Sequence, residues 1–219
     1  RSKPRKPRSV ELSFFDRYSA CVFDAQAILA ATDDEREKLC QQFFNDSFLV
    51  DQNACSSPRL VFWRGASPMV EQAQALFWPA MSEYTQRRYA LNGVSVVDKM
   101  IETVKAVQAY PDARLEHSGN YIYRLALPRI DADITRIEAR FGLFLEAADE
   151  TLDPFYRAIS EKYQTITTFG VAPVVIAEGV RKHRIKGIDR VVPVGAALEV
   201  NVLWDGHDIV RSLSRIVAC

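Results

Sequence analysis

Short β-prone apolar runs alternating with stretches of helical period constrain this chain more than any other feature. Residues 18–23, 59–63, 165–170 and 191–194 each read as strands, with helix-length segments between them. Strands interleaved with helices of about 10–15 residues indicate a layered domain, so the expected fold class is α/β with a largely parallel sheet. Thr32 stands as N-cap to a helix expected over 33–44, with acidic residues in its first turn. Pro68 opens a helical pattern over 69–91, in which Pro79 is expected to kink or divide the helix. Asn92-Gly93 stops it, and 94–110 forms an amphipathic helix with Val97, Ile101, Val104 and Val107 on one stripe. Residues 114–130 alternate as a strand or hairpin, and 141–146 is a further short strand. Helices are expected over 151–163, 174–183 and 207–217. Nothing marks a boundary after residue 9, so 10–219 reads as one domain behind a solvated basic linker, 1–9.

Charge and chemistry narrow the function. Lysine plus arginine and aspartate plus glutamate both number 28, which leaves no basic excess for neutralising phosphates, so nucleic acid is not an expected partner. No apolar run approaches the ~20 residues that span a bilayer. Cys21, Cys40, Cys55 and Cys219 have no zinc-site spacing, and no signal peptide is visible. The expected compartment is therefore the cytoplasm, with free thiols. Neither a GxGxxG nor a GxxxxGK[ST] motif is present, so a nucleotide site, if used, lies mostly outside these residues.

Cys55 stands apart by its setting, Asp51-Gln52-Asn53-Ala54-Cys55-Ser56-Ser57-Pro58, a loop of small and polar residues between a helix and a strand. Loops held by rigid elements present nucleophiles, and backbone N–H groups in a tight turn favour thiolate. The alternative is a structural cysteine in a polar turn. Cys21 and Cys40 read as packing residues, and Cys219 as an exposed chain end. His117, in a loop, His183, at a helix end, and His207, after a turn, are the imidazoles available for a Cys–His hydrolase. Asp205 is expected to cap the last helix.

Several segments taken together resemble one family. They are F-F-D-R-Y-S (14–19), N-D-S-F-L-V-D-Q-N-A-C-S-S-P (45–58), K-Y-Q-T-I-T-T-F-G (162–170), G-I-D-R-V-V-P-V-G (187–195) and W-D-G-H-D-I-V-R-S-L-S-R (204–215). Their order and content resemble the LuxC fatty acyl-CoA reductases of bacterial bioluminescence, within the aldehyde dehydrogenase superfamily. The resemblance covers the catalytic half of such an enzyme, and the amino-terminal cofactor domain has no counterpart here. It implies that Cys55 accepts an acyl group from a fatty acyl-CoA or acyl-protein thioester. It also implies that NADPH reduces the acyl group to a fatty aldehyde. The backbone N–H of Cys55 would face the oxyanion, with Asn53 a helper. The implied partners are an acyl-protein synthetase and an acyltransferase, with self-association into a homo-oligomer. Glu11 to Arg17 lack the paired glycines that follow the glutamate of hydrolytic relatives, which suits a thioester-using reductase. A thioester hydrolase and a non-catalytic interaction domain are the competing functions.

Overall fold

The computed structural model describes residues 9–215 and 217. Most of the basic linker, the end of the expected last helix and Cys219 lie outside the described residues. The main sheet has seven strands, β1 (Tyr18–Asp24), β2 (Leu60–Arg64), β3 (Arg114–Ser118), β4 (Ile122–Ala126), β5 (Leu143–Asp149), β6 (Tyr163–Phe169) and β7 (Arg190–Pro193). Their order across it is β3-β4-β5-β2-β1-β6-β7. All neighbours pair in parallel except the β3–β4 hairpin. This is the α/β architecture expected.

Both faces of the sheet are covered, which explains why β1 and β2 read as unbroken apolar runs. Ala20, Val22, Phe62, Leu145 and Ile166 face one core with Phe155 and Tyr163. Cys21, Phe23, Val61, Trp63 and Phe144 face the other. The second core is covered by α2 (Asp33–Ser47) and α3 (Ser67–Arg88), whose Phe43 and Phe77 pack edge to face at 5.5 Å. Thr32 caps α2 in a full capping box with Glu35. Pro79 lies within α3 without dividing it. A helix absent from the sequence reading, α1 (Ala25–Ala30), follows β1 at once because the Asp24 carboxylate accepts from Ala27 N at 3.0 Å.

Three local expectations are corrected. The helix expected over 151–163 is only α5 (Asp153–Ala158). Tyr163 is taken into β6, where its ring meets Tyr18 at 5.1 Å and Tyr18 N donates to Lys162 O at 2.8 Å. The last helix shrinks to α7 (Ile209–Leu213), because Leu203–Trp204 (β8) and His207–Asp208 (β9) form a tiny hairpin. Asp205 and Gly206 form its turn at φ +53° and +76°, the Asp-Gly signature of a two-residue hairpin. Asp208, not Asp205, therefore caps α7, accepting from Arg211 N at 2.9 Å. His117 lies in β3 rather than in a loop.

After α6 (Pro173–Lys182) and β7, the chain turns back onto α2, held by Asp46. The Asp46 carboxylate accepts from Gly195 N at 2.7 Å and Ala197 N at 2.9 Å. Burial pushes this carboxyl up to about 6 from 3.8, against those two N–H groups, which favour the ion. The folded value lies above the unfolded one, so the folded state holds the extra proton between about pH 4 and 6. Stability from this group should fall as pH rises through that window, by up to about 3 kcal/mol. Urea unfolding of Asp46→Asn across the same range should lose that part of the slope, and parallel curves would contradict the assignment.

Candidate active site

Because β1, β2, β5 and β6 run the same way, their lead-in segments gather at one edge of the sheet. Phe14–Tyr18 leads into β1, Asn53, Cys55 and Arg59 into β2, Thr135–Arg140 into β5, and Lys162 into β6; together they line a cleft of about 310 Å³. The cleft is thus at the amino ends of the parallel strands, opposite the edge where open α/β sheets commonly bind ligands.

The cysteine loop is held from beneath. Asp51 and Gln52 both take left-handed backbone conformations, φ +55° and +58°, which cost non-glycine residues about 1–3 kcal/mol. Gln52 is fully buried, and its side chain bonds to three backbone groups. Nε2 donates to Pro58 O and Leu143 O, both at 2.9 Å, and Oε1 accepts from Gly142 N at 2.9 Å. One amide thereby closes the loop across Cys55 and fastens it to the start of β5. From the other side, Ser19 Oγ donates to Cys55 O at 2.6 Å and accepts from Thr165 N at 3.2 Å. Cys55 is half-buried, and its thiol donates to Phe14 O at 3.6 Å. Its backbone N–H has no partner among the described residues.

The other two described thiols are closed off. Burial pushes the Cys40 thiol up to about 12 and the Cys21 thiol well above its ordinary range. Neither forms thiolate at neutral pH. Asn53 is exposed on the rim of the Cys55 cleft. No histidine lines it: His117 packs on Tyr123 at 5.5 Å and His183 on Tyr156 at 5.0 Å. His207 meets the ring of Phe14 at 6.2 Å, behind the cleft wall.

The wall is strongly cationic, with Arg17, Arg59, Arg136, Arg140 and Lys162 against Asp16 and Glu138. Arg17 and Lys162 are already paired: Arg17 with Asp189 and, at 2.8 Å, with Asp205, and Lys162 with Asp16 at 2.7 Å. Asp205 also accepts from Gln164 Nε2 at 3.0 Å. Arg59 lies 5.7 Å from the Tyr18 ring centre, and burial lowers its pKa from the ordinary arginine value. The Nε atoms of Arg17, Arg59 and Arg140 are buried without a hydrogen-bond partner, although Arg140 pairs with Glu138 through Nη2. Such orphaned donors fit an anionic oxygen, the group that phosphates of a nucleotide or carrier present. Among the described residues no cluster of three or more His, Cys, Asp or Glu is placed to hold a metal ion. No helix there is long and apolar enough to cross a membrane.

A larger groove of about 780 Å³ lies between α3 and β3. Its Arg124 is paired with Glu116 and with buried Glu146, which also accepts from the indoles of Trp63 and Trp78 at 2.7 and 2.8 Å. Those groups are satisfied within the fold.

The sheet with its cysteine-bearing lead-in loop has an aldehyde dehydrogenase-like fold. A variant of 1-pyrroline-5-carboxylate dehydrogenase from Thermus thermophilus matches with TM-score 0.55 at 12% identity, over 90% of this chain and 42% of that one. A variant of proline utilization A from Bradyrhizobium japonicum matches at 0.56 and 16%, over 86% and 20%. NADP-dependent glyceraldehyde-3-phosphate dehydrogenase from Bacillus halodurans, complexed with NADP, matches at 0.51 and 12%, over 85% and 39%. The chain spans less than half the length of each. Among curated proteins none matches. The family model for acyl-CoA reductase (LuxC) matches residues 1–219, and the chain belongs to that family.

Three of the five separated segments that carried the resemblance line this cleft, and the other two reach its wall through the pairs of Asp189 and Asp205 with Arg17. The sequence singles out Cys55 and Asn53, both of which line the cleft, but not Gln52, Ser19 and the arginines, whose partners are remote in sequence. Gln52→Ala should leave three buried backbone groups unpaired and lower stability by about 2–4 kcal/mol in urea unfolding. Amide exchange at Gly142 should rise with it. Unchanged exchange there would contradict the clasp.

Proposed function

We propose that this chain is the acyl-accepting catalytic domain of a long-chain fatty acyl thioester reductase, with Cys55 as nucleophile. The observation that carries the reading is selective presentation. Of the three described thiols, Cys55 alone opens to a cleft, while Cys21 and Cys40 are buried. Family membership supplies the substrate class.

The chain's own residues account for acyl transfer. Cys55 gives up its proton, and its sulfur attacks the thioester carbonyl carbon. The carbonyl oxygen gains negative charge and faces the unpartnered Cys55 N–H, with Asn53 within reach on the rim. The carrier's carbon–sulfur bond then breaks, its thiolate takes up a proton, and the acyl group remains on Cys55. Arg59 places fixed positive charge beside the reacting sulfur. Arg59, Arg136 and Arg140 are the residues here that would hold phosphate oxygens of a coenzyme A carrier or of NADPH. NADPH, when bound, supplies the hydride that reduction to the aldehyde consumes. The acyl-protein synthetase and acyltransferase partners belong to the same proposal.

Peptide mapping after incubation with tetradecanoyl-CoA, without nicotinamide, tests the acyl-transfer step. The expected result is one acyl adduct, on Cys55, absent from Cys55→Ala. Acylation elsewhere, or an adduct that survives Cys55→Ala, would overturn the assignment. A hydrolase would instead release free fatty acid, and no histidine in the cleft favours that outcome.

A further inference from the structure

The hairpin of Trp204, Asp205, Gly206 and His207 belongs to the last of the segments that carry the resemblance, yet the cysteine loop does not use it. Strands as short as β8 and β9 do not hold themselves together. The hairpin is fixed from outside instead. Asp205 pairs with Arg17 at 2.8 Å and accepts from Gln164 Nε2 at 3.0 Å. Gly206 sits against Asp189, where a Cβ would come within 2.9 Å of Oδ1, and Asp189 itself pairs with Arg17. The His207 ring meets the Phe14 ring at 6.2 Å, and the Trp204 ring lies 5.1 Å from the Arg190 guanidinium.

Most of these contacts converge on the lead-in to β1. Arg17 ties down its end: besides meeting the two carboxylates, its guanidinium donates to Glu161 O at 3.0 Å and to Tyr163 O at 3.2 Å. Asp16 takes a left-handed conformation, φ +56°, and its carboxylate pairs with Lys162 at 2.7 Å. Earlier in the segment, the Phe14 carbonyl accepts from the Cys55 thiol at 3.6 Å. A cysteine side chain has three staggered rotamers, and this bond commits the sulfur to one of them. A thiol is a weak donor, so the bond lasts only while the carbonyl is itself held in place. Residues 14–17 lie outside any helix or strand, so that hold comes from Arg17 and from the hairpin.

We infer that Arg17 is a positioning residue for Cys55: clamped by Asp189 and by Asp205 of the hairpin, it keeps the Phe14 carbonyl on the thiol and so fixes the rotamer of the sulfur at the cleft. His207 supports the same carbonyl through the Phe14 ring. The inference rests on the acyl-accepting reading of Cys55 given above. Acyl transfer needs the sulfur aligned with a carbonyl carbon, and a misplacement of about 1 Å can cost a factor of about 100. Alkylation by a small reagent needs only an accessible sulfur. Loss of alignment therefore separates the two reactions, whereas loss of the fold moves both.

The test compares two reactions of Cys55 in the 219-residue chain, each read by peptide mass: acylation by tetradecanoyl thioesters and alkylation by iodoacetamide. Arg17→Met should lower the acylation rate about tenfold or more, while alkylation does not fall. The loss should be equal with tetradecanoyl-CoA and with tetradecanoyl-N-acetylcysteamine, which has no phosphate. Arg17→Lys, which keeps a charge for the two carboxylates, should recover part of it. His207→Ala should lower acylation severalfold with an unchanged urea midpoint. Because His207 is exposed, that variant stays readable even if Arg17→Met fails to fold. A loss confined to tetradecanoyl-CoA would make Arg17 a carrier contact and overturn the inference. So would acylation and alkylation falling together, or acylation unchanged in both Arg17→Met and His207→Ala. The adduct on the unaltered chain tests the acyl-accepting reading, and the ratio of variant to unaltered rates tests the positioning role.

Discussion

The Gln52 side-chain amide is the constraint on which the site depends. It sits in a left-handed backbone conformation, buried, and bonds to Pro58 O, Leu143 O and Gly142 N at once. A loop of this kind would otherwise be mobile, because its residues are small and make few apolar contacts. With the clasp closed, the segment between Gln52 and Pro58 becomes a rigid arch with Cys55 near its crown. Two left-handed residues are tolerated because three buried hydrogen bonds and the Ser19 bond to Cys55 O offset their strain.

Topology does the rest of the positioning. Four parallel strands deliver four lead-in segments to one edge, so residues far apart in sequence become the walls of one cleft. Arg17, Lys162, Asp189 and Asp205 cross-link those segments, while Arg59 keeps a buried Nε without a hydrogen-bond partner and Arg140 pairs with Glu138 through its other end. These ion pairs hold the cleft in shape.

Where the sequence was legible, local physics sufficed. The strands β1, β2 and β7 show as short β-prone runs and β6 as a threonine-rich one, and Thr32–Glu35 is a helix start written within four residues. Cys55 shows by its small polar neighbours. What was not legible depends on remote partners. Helical period marks the stripe on α4 (Gly93–Ala109) but not that it faces away from the core. That is decided by carbonyls at residues 120, 121 and 141 that accept from Lys99. Gln52 looks like any loop glutamine until Gly142 and Leu143 arrive. Tyr163 fits a helical pattern until the pairing with β1 claims it, and the turn at Asp205-Gly206 is legible while the two-residue strands that it joins are not.

The central claim is that, among the described residues, this fold opens one thiol to a cleft and buries the other two. Its most direct measure is the rate at which iodoacetamide alkylates each cysteine of the folded chain, read by peptide mass. Cys55 should react while Cys21 and Cys40 remain protected until the chain is unfolded. Cys55 reacting no faster than Cys40 in the folded protein would contradict the account.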